Sequence, residues 1–286
     1  MNITLSNGNS ITLPFLTAGC MGHPGSGKSH LFASFPKPML VLATDPMAKM
    51  QPYFERGELD LASHQGIWGQ PVKIVNSLKT GSPIIQLEGY YDTDPNRSAM
   101  QMLIDRIEQI VNEVNEGKWA TVVLDSWSGF EDIALNRRRK GPLAIKNSDG
   151  RAPYAVAKDD TKEILITRLV HLKCNVGITF HISEKVLDDG GTVLYNVKCI
   201  GDMPSTIGQN IAERYRAEAT ADGTTRRLFT RPDGRFNLTT LIGAVSPCEN
   251  NYSALFSEYI KAKTAAIPVA VKQATAAAGP QEEKAV

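Results

Sequence analysis

One short segment restricts the fold of this chain strongly, because it requires a strand before it and a helix after it. It reads Gly22-His23-Pro24-Gly25-Ser26-Gly27-Lys28-Ser29 and matches the pattern G-x-x-x-x-G-K-[ST]. Residues 15–21 form a mostly apolar run of strand length, and residues 28–35 are compatible with a helix that ends before Pro36. The glycines of such a segment let backbone N–H groups turn around phosphate oxygens. The segment therefore predicts a nucleotide phosphate-binding loop; a glycine-rich turn with an exposed lysine is the alternative.

The loop pattern also predicts the ligands and the roles of two side chains. Lys28 is expected to face solvent without nucleotide and to reach the β- and γ-phosphates when nucleotide binds, while Ser29 is expected to bind Mg²⁺. The predicted nucleotide-binding residues are Gly22, His23, Pro24, Gly25, Ser26, Gly27, Lys28, Ser29 and His30. ATP and Mg²⁺ are therefore the expected cofactors.

A phosphate-binding loop of this type also needs an acidic residue that holds the water shell of the metal. Asp125 follows residues 121–124, a run that is too apolar for a surface strand. We expect its carboxylate at the C-terminal edge of the sheet, beside the phosphates, where it would be the second metal-binding residue with Ser29. A helix N-cap is the alternative role for Asp125, and the two roles are compatible.

The order of the other apolar runs predicts an α/β fold with a mostly parallel, twisted sheet flanked by helices. Strand-like segments at 38–43, 121–124 and 176–180 alternate with helices expected from Asp94-Pro95 to Gly117 and from about 159 to 172. Antiparallel strands are expected at 193–200, 214–219 and 226–230. We expect an N-terminal hairpin at 1–14, one large domain at 15–262 and a disordered tail at 263–286.

Composition argues against several classes of protein. The 31 Lys and Arg residues nearly balance the 30 Asp and Glu residues, and this balance excludes a polycation that binds nucleic acid by bulk charge. The four cysteines lie far apart without a CxxC pair, which argues against a zinc cluster and a secreted disulfide framework. No apolar stretch approaches the roughly 18 residues of a membrane span. A cytoplasmic protein without a membrane partner is expected.

Four segments, taken in order, carry a resemblance to a known family. They are GHPGSGKS at 22–29, FPKPMLVLATD at 35–45, VVLDSWSGF at 122–130 and GITFHISEK at 177–185, which an Asp-Asp-Gly-Gly turn follows. This layout resembles the RecA-like ATPases and, more closely, the phage-encoded RecA-like nucleotide-binding proteins, over roughly residues 15–240. The resemblance implies a RecA-like P-loop NTPase that binds single-stranded DNA and assembles into a homo-oligomeric ring or filament. It also implies a host cytoplasm and a single-strand binding protein as a further partner.

The same resemblance implies roles for two residues at strand ends. Asp45 stands where the family has an acidic general base, although the family usually has Glu, which is one methylene longer. His181 stands where the family has a polar sensor of the γ-phosphate. With Lys28 and Asp125, they complete the predicted catalytic set. The alternatives are a turn cap before Pro46 for Asp45 and a structural cap of the sheet edge for His181.

Basic residues are the candidates for contacts with DNA and with a second subunit. They are Arg137, Arg138, Arg139 and Lys140 for DNA, and Arg231 and Arg235 as trans-acting arginines for the γ-phosphate site of a neighbouring subunit. The resemblance implies that the loop after the four-residue run faces the DNA, where cations would release counterions and Tyr154 would stack on a base. The alternatives are a solvated helix end and a hairpin that is rich in arginine for solubility.

These observations predict an ATP-hydrolysing RecA-like protein that binds single-stranded DNA and promotes annealing or recombination. Two alternatives stay open. The first is a P-loop kinase or a DNA-packaging motor ATPase, and the second is a nucleotide-dependent interaction module that does not hydrolyse ATP, which Asp45 in place of Glu favours.

Overall fold

The computed structural model describes residues 2–4, 10–56, 72–75, 83–91, 98–140, 143–146, 151–186 and 193–265. At the N-terminus, β1 (Asn2–Thr4) pairs antiparallel with β2 (Ser10–Thr12), as expected for a hairpin. None of the described helices is both long and apolar enough to cross a membrane.

A sheet of nine described strands forms the centre of the fold. Its strands are β3 (Thr17–Met21), β4 (Met39–Ala43), β5 (Val72–Val75), β6 (Pro83–Gly89), β7 (Thr121–Asp125), β8 (Asn175–Phe180), β11 (Glu213–Ala219), β12 (Arg226–Phe229) and β13 (Cys248–Glu249). Their order across the sheet is β13-β12-β11-β3-β8-β7-β4-β6-β5. The strands from β11 to β6 are parallel, whereas β12 pairs antiparallel with β11, β13 pairs antiparallel with β12, and β5 pairs antiparallel with β6. This confirms the predicted fold class. A separate hairpin joins β9 (Ile182–Val186) and β10 (Val193–Val197).

Helices cover both faces of the sheet. They are α1 (Lys28–Ala33), α2 (Gln51–Arg56), α3 (Ala99–Asn115), α4 (Trp127–Arg139), α5 (Ala152–Thr167), α6 (Met203–Asn210) and α7 (Tyr252–Ala265), with 3-10 turns at Met47–Met50 and Leu169–His171. Side chains alternate between the two faces along each strand. In β4, Leu40 and Leu42 join the core under α3 to α6, whereas Met39 and Val41 join the core under α1, α2 and α7. Burial on both faces explains why this strand has no polar residue.

Some element boundaries differ from those expected. Helix α3 begins at Ala99, where the Ser98 hydroxyl caps it by accepting from Gln101 N; the Pro95 start lies outside the described residues. Helix α5 begins at Ala152 and not near residue 159. Helix α7 extends to Ala265, three residues into the expected tail. The rest of that tail, at 266–286, and the Asp-Asp-Gly-Gly turn lie outside the described residues, so the domain boundaries stay predictions.

Candidate functional site

The phosphate-binding loop connects β3 to α1, as its pattern requires. Gly25 and Gly27 have φ angles of 79° and 101°, which side chains other than glycine rarely adopt. A Cβ atom at Gly22 would lie 2.7 Å from the carbonyl oxygen of Ala217. The hydroxyl of Ser26 is buried and has no hydrogen-bond partner among the described residues. The loop is thus a tight backbone cradle with one unused polar group, which fits a phosphate ligand.

Lys28 lies inside this cradle, and the expectation that it faces solvent is wrong. Its ammonium donates to the carbonyl oxygens of Gly22 at 2.9 Å and His23 at 2.8 Å. Only 8% of the residue is exposed, and burial lowers the pKa of the amine from its usual value. Because the two loop carbonyl oxygens accept hydrogen bonds from its ammonium group, the lysine is already positioned at the loop before a ligand binds.

Asp125 accepts three hydrogen bonds from hydroxyl groups. Ser29 donates to its Oδ2 at 2.7 Å, Tyr53 donates to the same oxygen at 2.9 Å, and Thr179 donates to Oδ1 at 2.6 Å. Asp125 itself is 3% exposed and ends β7, which β8 separates from β3. Burial and the Asp125 carboxylate hold the pKa of the Tyr53 hydroxyl well above its usual range, so Tyr53 stays a donor. The contact with Ser29 brings the two predicted metal ligands together.

Asp45 and His181 also meet at this edge of the sheet. The Oδ2 atom of Asp45 lies 3.2 Å from the Lys49 ammonium and 3.7 Å from Nε2 of His181. Burial tends to raise the pKa of Asp45, but the nearby His181 and Lys49 side chains outweigh it and lower the pKa below its usual value. The backbone N–H of Asp45 donates to the Asp125 carbonyl oxygen at 3.3 Å. The four predicted catalytic residues therefore lie at one end of four adjacent strands.

A cavity of about 260 Å³ opens at this end of the sheet. Its walls are Pro24, Gly25, Gly27, Lys28, Ser29, His30, Asp45, Lys49, Pro52, Asp125, His181 and Arg226. Gly22 and His23 instead line a neighbouring cavity of about 310 Å³. Most of the predicted nucleotide-binding residues thus share one cavity with the predicted catalytic residues.

Four residues of this region have no role predicted from the sequence: Lys49, Tyr53, Thr179 and Arg226. Thr179 is the only polar residue within the apolar run 176–180, and this position was a usable signal. Lys49 lies four residues after Asp45, which is the spacing of one helical turn. Tyr53 and Arg226 belong to no recognisable pattern, because only the folded chain brings them to the site.

The predicted DNA-binding residues lie away from the cavity, at the end of α4, and most of them have partners in the same chain. Arg138 forms two hydrogen bonds with the Asp160 carboxylate on α5, at 2.7 and 2.8 Å. Arg139 donates to the Tyr154 hydroxyl and lies 4.5 Å from the centre of its ring. Arg137 donates to Gln101 at 2.7 Å. The run therefore connects the end of α4 to α3 and α5. Arg139 also covers one face of the Tyr154 ring, which was expected to stack on a base.

The trans-acting candidates Arg231 and Arg235 are both exposed. Arg235 lines the neighbouring cavity with Gly22 and His23, whereas Arg231 lines neither cavity. Arg216 also faces the neighbouring cavity but is held inside the chain, between the rings of Phe229 and Phe236 at 4.2 Å each. Arg235 is the better placed candidate of the two.

Comparisons with known proteins identify the domain type. A family model described as an AAA domain matches residues 16–215, which is more than half of the 286 residues. A search of curated proteins found no match. The matched range includes the phosphate-binding loop, Asp45, Asp125 and His181, and it ends within β11.

Proposed function

We propose a function for this chain, which belongs to the AAA-domain family and is a P-loop nucleotide-binding protein: it binds ATP with Mg²⁺ and hydrolyses the bond between the β- and γ-phosphates. One observation carries the proposal. Lys28, Ser29, Asp45, Asp125 and His181, which are spread over more than half of the sequence, line a single cavity at the C-terminal ends of parallel strands. Ligands of open parallel sheets bind at this edge.

The residues at the loop are suited to binding the nucleotide. The Lys28 ammonium needs only to exchange two carbonyl oxygens for phosphate oxygens. Ser29 and Asp125 would hold Mg²⁺, which when bound neutralises the charge that develops on the phosphates. Tyr53 and Thr179 fix the Asp125 carboxylate in place, so this ligand is oriented before the metal arrives.

Asp45 is the residue best placed to orient the attacking water. A carboxylate with a lowered pKa is ionised at neutral pH and can accept a hydrogen bond from water. His181 lies beside it at the end of β8, the strand next to the loop strand β3. A histidine there can donate to a phosphate oxygen and can also hold Asp45 in position.

The finer part of the proposal is that hydrolysis serves single-stranded DNA annealing or recombination in a homo-oligomer of phage origin. Its support is the resemblance of the four ordered segments and the basic end of α4, where Lys140 is exposed. The Asp160 carboxylate neutralises Arg138, and Arg139 lies against the Tyr154 ring, whereas the partner of Arg137, Gln101, is uncharged. Arg137 and Lys140 are therefore the stronger candidates for phosphate contacts.

Steady-state ATP turnover tests this proposal when it is measured with and without single-stranded DNA, alongside the mass of the protein in solution. We expect Mg²⁺-dependent turnover that Asp125→Asn abolishes and that single-stranded DNA stimulates. ATP binding without turnover would favour the non-hydrolysing interaction module, which the ion pair between Asp45 and Lys49 would explain. Phosphoryl transfer to an acceptor other than water would indicate a kinase.

A further inference from the structure

An arginine beyond the family-matched range faces the proposed nucleotide site. Arg226 is the first residue of β12, and the match to the AAA domain ends at residue 215. It lines the same cavity as Lys28, Ser29 and Asp125. Neither the loop pattern nor the family match assigns a role to it.

The side chain of Arg226 packs directly on the phosphate-binding loop. A Cβ atom built at Gly27 would lie 2.7 Å from Cδ of Arg226 and 2.5 Å from Nδ2 of Asn250. Asn250 also donates from Nδ2 to the Gly27 carbonyl oxygen at 2.8 Å. The C-terminal part of the chain therefore closes over the loop at its last glycine, and only glycine leaves room for this contact.

The guanidinium of Arg226 has no partner among the described residues. Its Nε atom is buried without a hydrogen bond, and the side chain forms no ion pair within that part of the chain. The carboxylates in the cavity are already engaged, since Asp45 lies beside Lys49 and His181 and Asp125 accepts from three hydroxyls. A buried N–H donor without a partner, such as Nε of the half-buried Arg226, is costly, and a bound anion would remove that cost.

We infer that Arg226 binds the phosphate chain of the nucleotide from within the same subunit. This inference rests on the proposed function, because it assumes that the cavity binds nucleotide. It adds that one subunit supplies two phosphate-binding cations, Lys28 and Arg226. Tight binding of nucleotide then does not require an arginine from a neighbouring subunit.

The test compares Arg226→Met with Arg226→Lys and with the matched control Arg227→Met. Methionine keeps the aliphatic contact with Gly27 but removes the charge, and lysine keeps the charge. Arg227 is the next residue of β12, is exposed and lines neither cavity. The readouts are the dissociation constants of MgATP, MgADP and AMP by titration calorimetry and the melting temperature without nucleotide.

We expect Arg226→Met to weaken MgATP binding about tenfold to a hundredfold, the usual effect of losing a hydrogen bond to a charged group. Arg226→Lys should recover part of this loss, and Arg227→Met should bind as the wild type does. The shortest nucleotide whose affinity falls identifies the phosphate that Arg226 contacts, because it is the first of the three to carry that phosphate.

Three results would overturn the inference. Equal affinities of Arg226→Met and Arg227→Met, in a protein whose binding still depends on Lys28, would show that Arg226 does not bind the phosphates. The proposed function would then stay intact. If Arg226→Met loses both nucleotide affinity and melting temperature, and Arg226→Lys recovers neither, then Arg226 contributes only to packing. Absence of nucleotide binding in the wild type would end both claims.

Discussion

At the scale of the residue, the Asp125 carboxylate is the centre of the site. It accepts from Ser29, Tyr53 and Thr179, which come from three different elements. A carboxylate with so many donors is held in one orientation, and a metal that displaces the Ser29 contact meets a fixed ligand.

Tyr53→Phe tests this arrangement. The change removes one charge-assisted hydrogen bond from a fully buried pair, and we expect a loss of about 1.5 to 3 kcal/mol in the free energy of unfolding. Tyr252→Phe is the matched control, because the buried Tyr252 hydroxyl has no partner within the described residues. Denaturant unfolding should show a cost for the first variant and almost none for the second; equal costs would contradict the role of Tyr53.

Asp45→Asn tests the proposed general base. We expect turnover to fall at least about tenfold, the lower part of the range for a positioned acid–base group, while ATP affinity stays nearly constant. Asp45→Glu should retain or raise turnover if the cavity accepts the extra methylene. Turnover of Asp45→Asn at the wild-type rate would make Asp45 a turn cap, and another group such as Glu184 would then have to position the water.

The predictability of these residues from sequence differs for a physical reason. Lys28 and Ser29 belong to a local pattern, and Asp125 ends a continuous apolar strand, so each carries its own signal. The burial of Lys28 was missed because the loop carbonyls that hold it depend on the folded backbone. Tyr53 and Arg226 reach the site only through the packing of α2 and β12, which no short pattern encodes.

At the scale of the element, α4 links the metal-binding strand to the rest of the domain. It begins directly after Asp125 and Ser126, and its Glu131 carboxylate accepts from the Ile200 N–H at 3.0 and 3.1 Å. Glu131 is 5% exposed, and burial, only partly offset by the Ile200 hydrogen bond, raises its pKa from 4.5 to about 7. A buried carboxyl of this kind makes the stability of the protein depend on pH.

Glu131→Gln tests this dependence. The unfolded chain ionises Glu131 near pH 4.5, whereas the folded chain keeps the proton to about pH 7, so stability falls as pH rises between these values. Glutamine stays neutral and can still accept from Ile200. Denaturant unfolding should show the variant close to wild type at pH 4.5 and about 1 to 3 kcal/mol more stable at pH 8. The exposed neighbour in Asp132→Asn is the control; a variant advantage that does not grow with pH would contradict this account.

The basic end of α4 carries a separate prediction. If Arg137 and Lys140 contact DNA phosphates, replacing both with glutamine should weaken single-strand binding and lower its log-log salt slope by about 0.7 for each contact. Arg138→Gln is the matched control, since its charge is already paired with Asp160 and its loss should lower stability without changing the slope. Equal slopes in all three proteins, measured by fluorescence anisotropy, would show that the run does not contact DNA and only forms the end of α4.

At the scale of the whole molecule, the order of strands creates the site. The parallel neighbours β3, β8, β7 and β4 end side by side, which brings the phosphate loop, His181, Asp125 and Asp45 to one edge. The alternation of helices and strands predicted a parallel sheet. It did not predict that β8 lies between β3 and β7, because strand order depends on long-range pairing that no local pattern contains.

Equilibrium binding of MgATP to wild type and to Lys28→Met is the most direct test of the central claim, that this cradle binds nucleotide phosphates. Melting without nucleotide is the control for folding, because the change also removes two hydrogen bonds to loop carbonyls. We predict that a folded Lys28→Met protein binds MgATP about tenfold to a hundredfold more weakly than wild type, since it loses charge-assisted hydrogen bonds to the phosphates. Unchanged affinity in a folded variant would contradict the account.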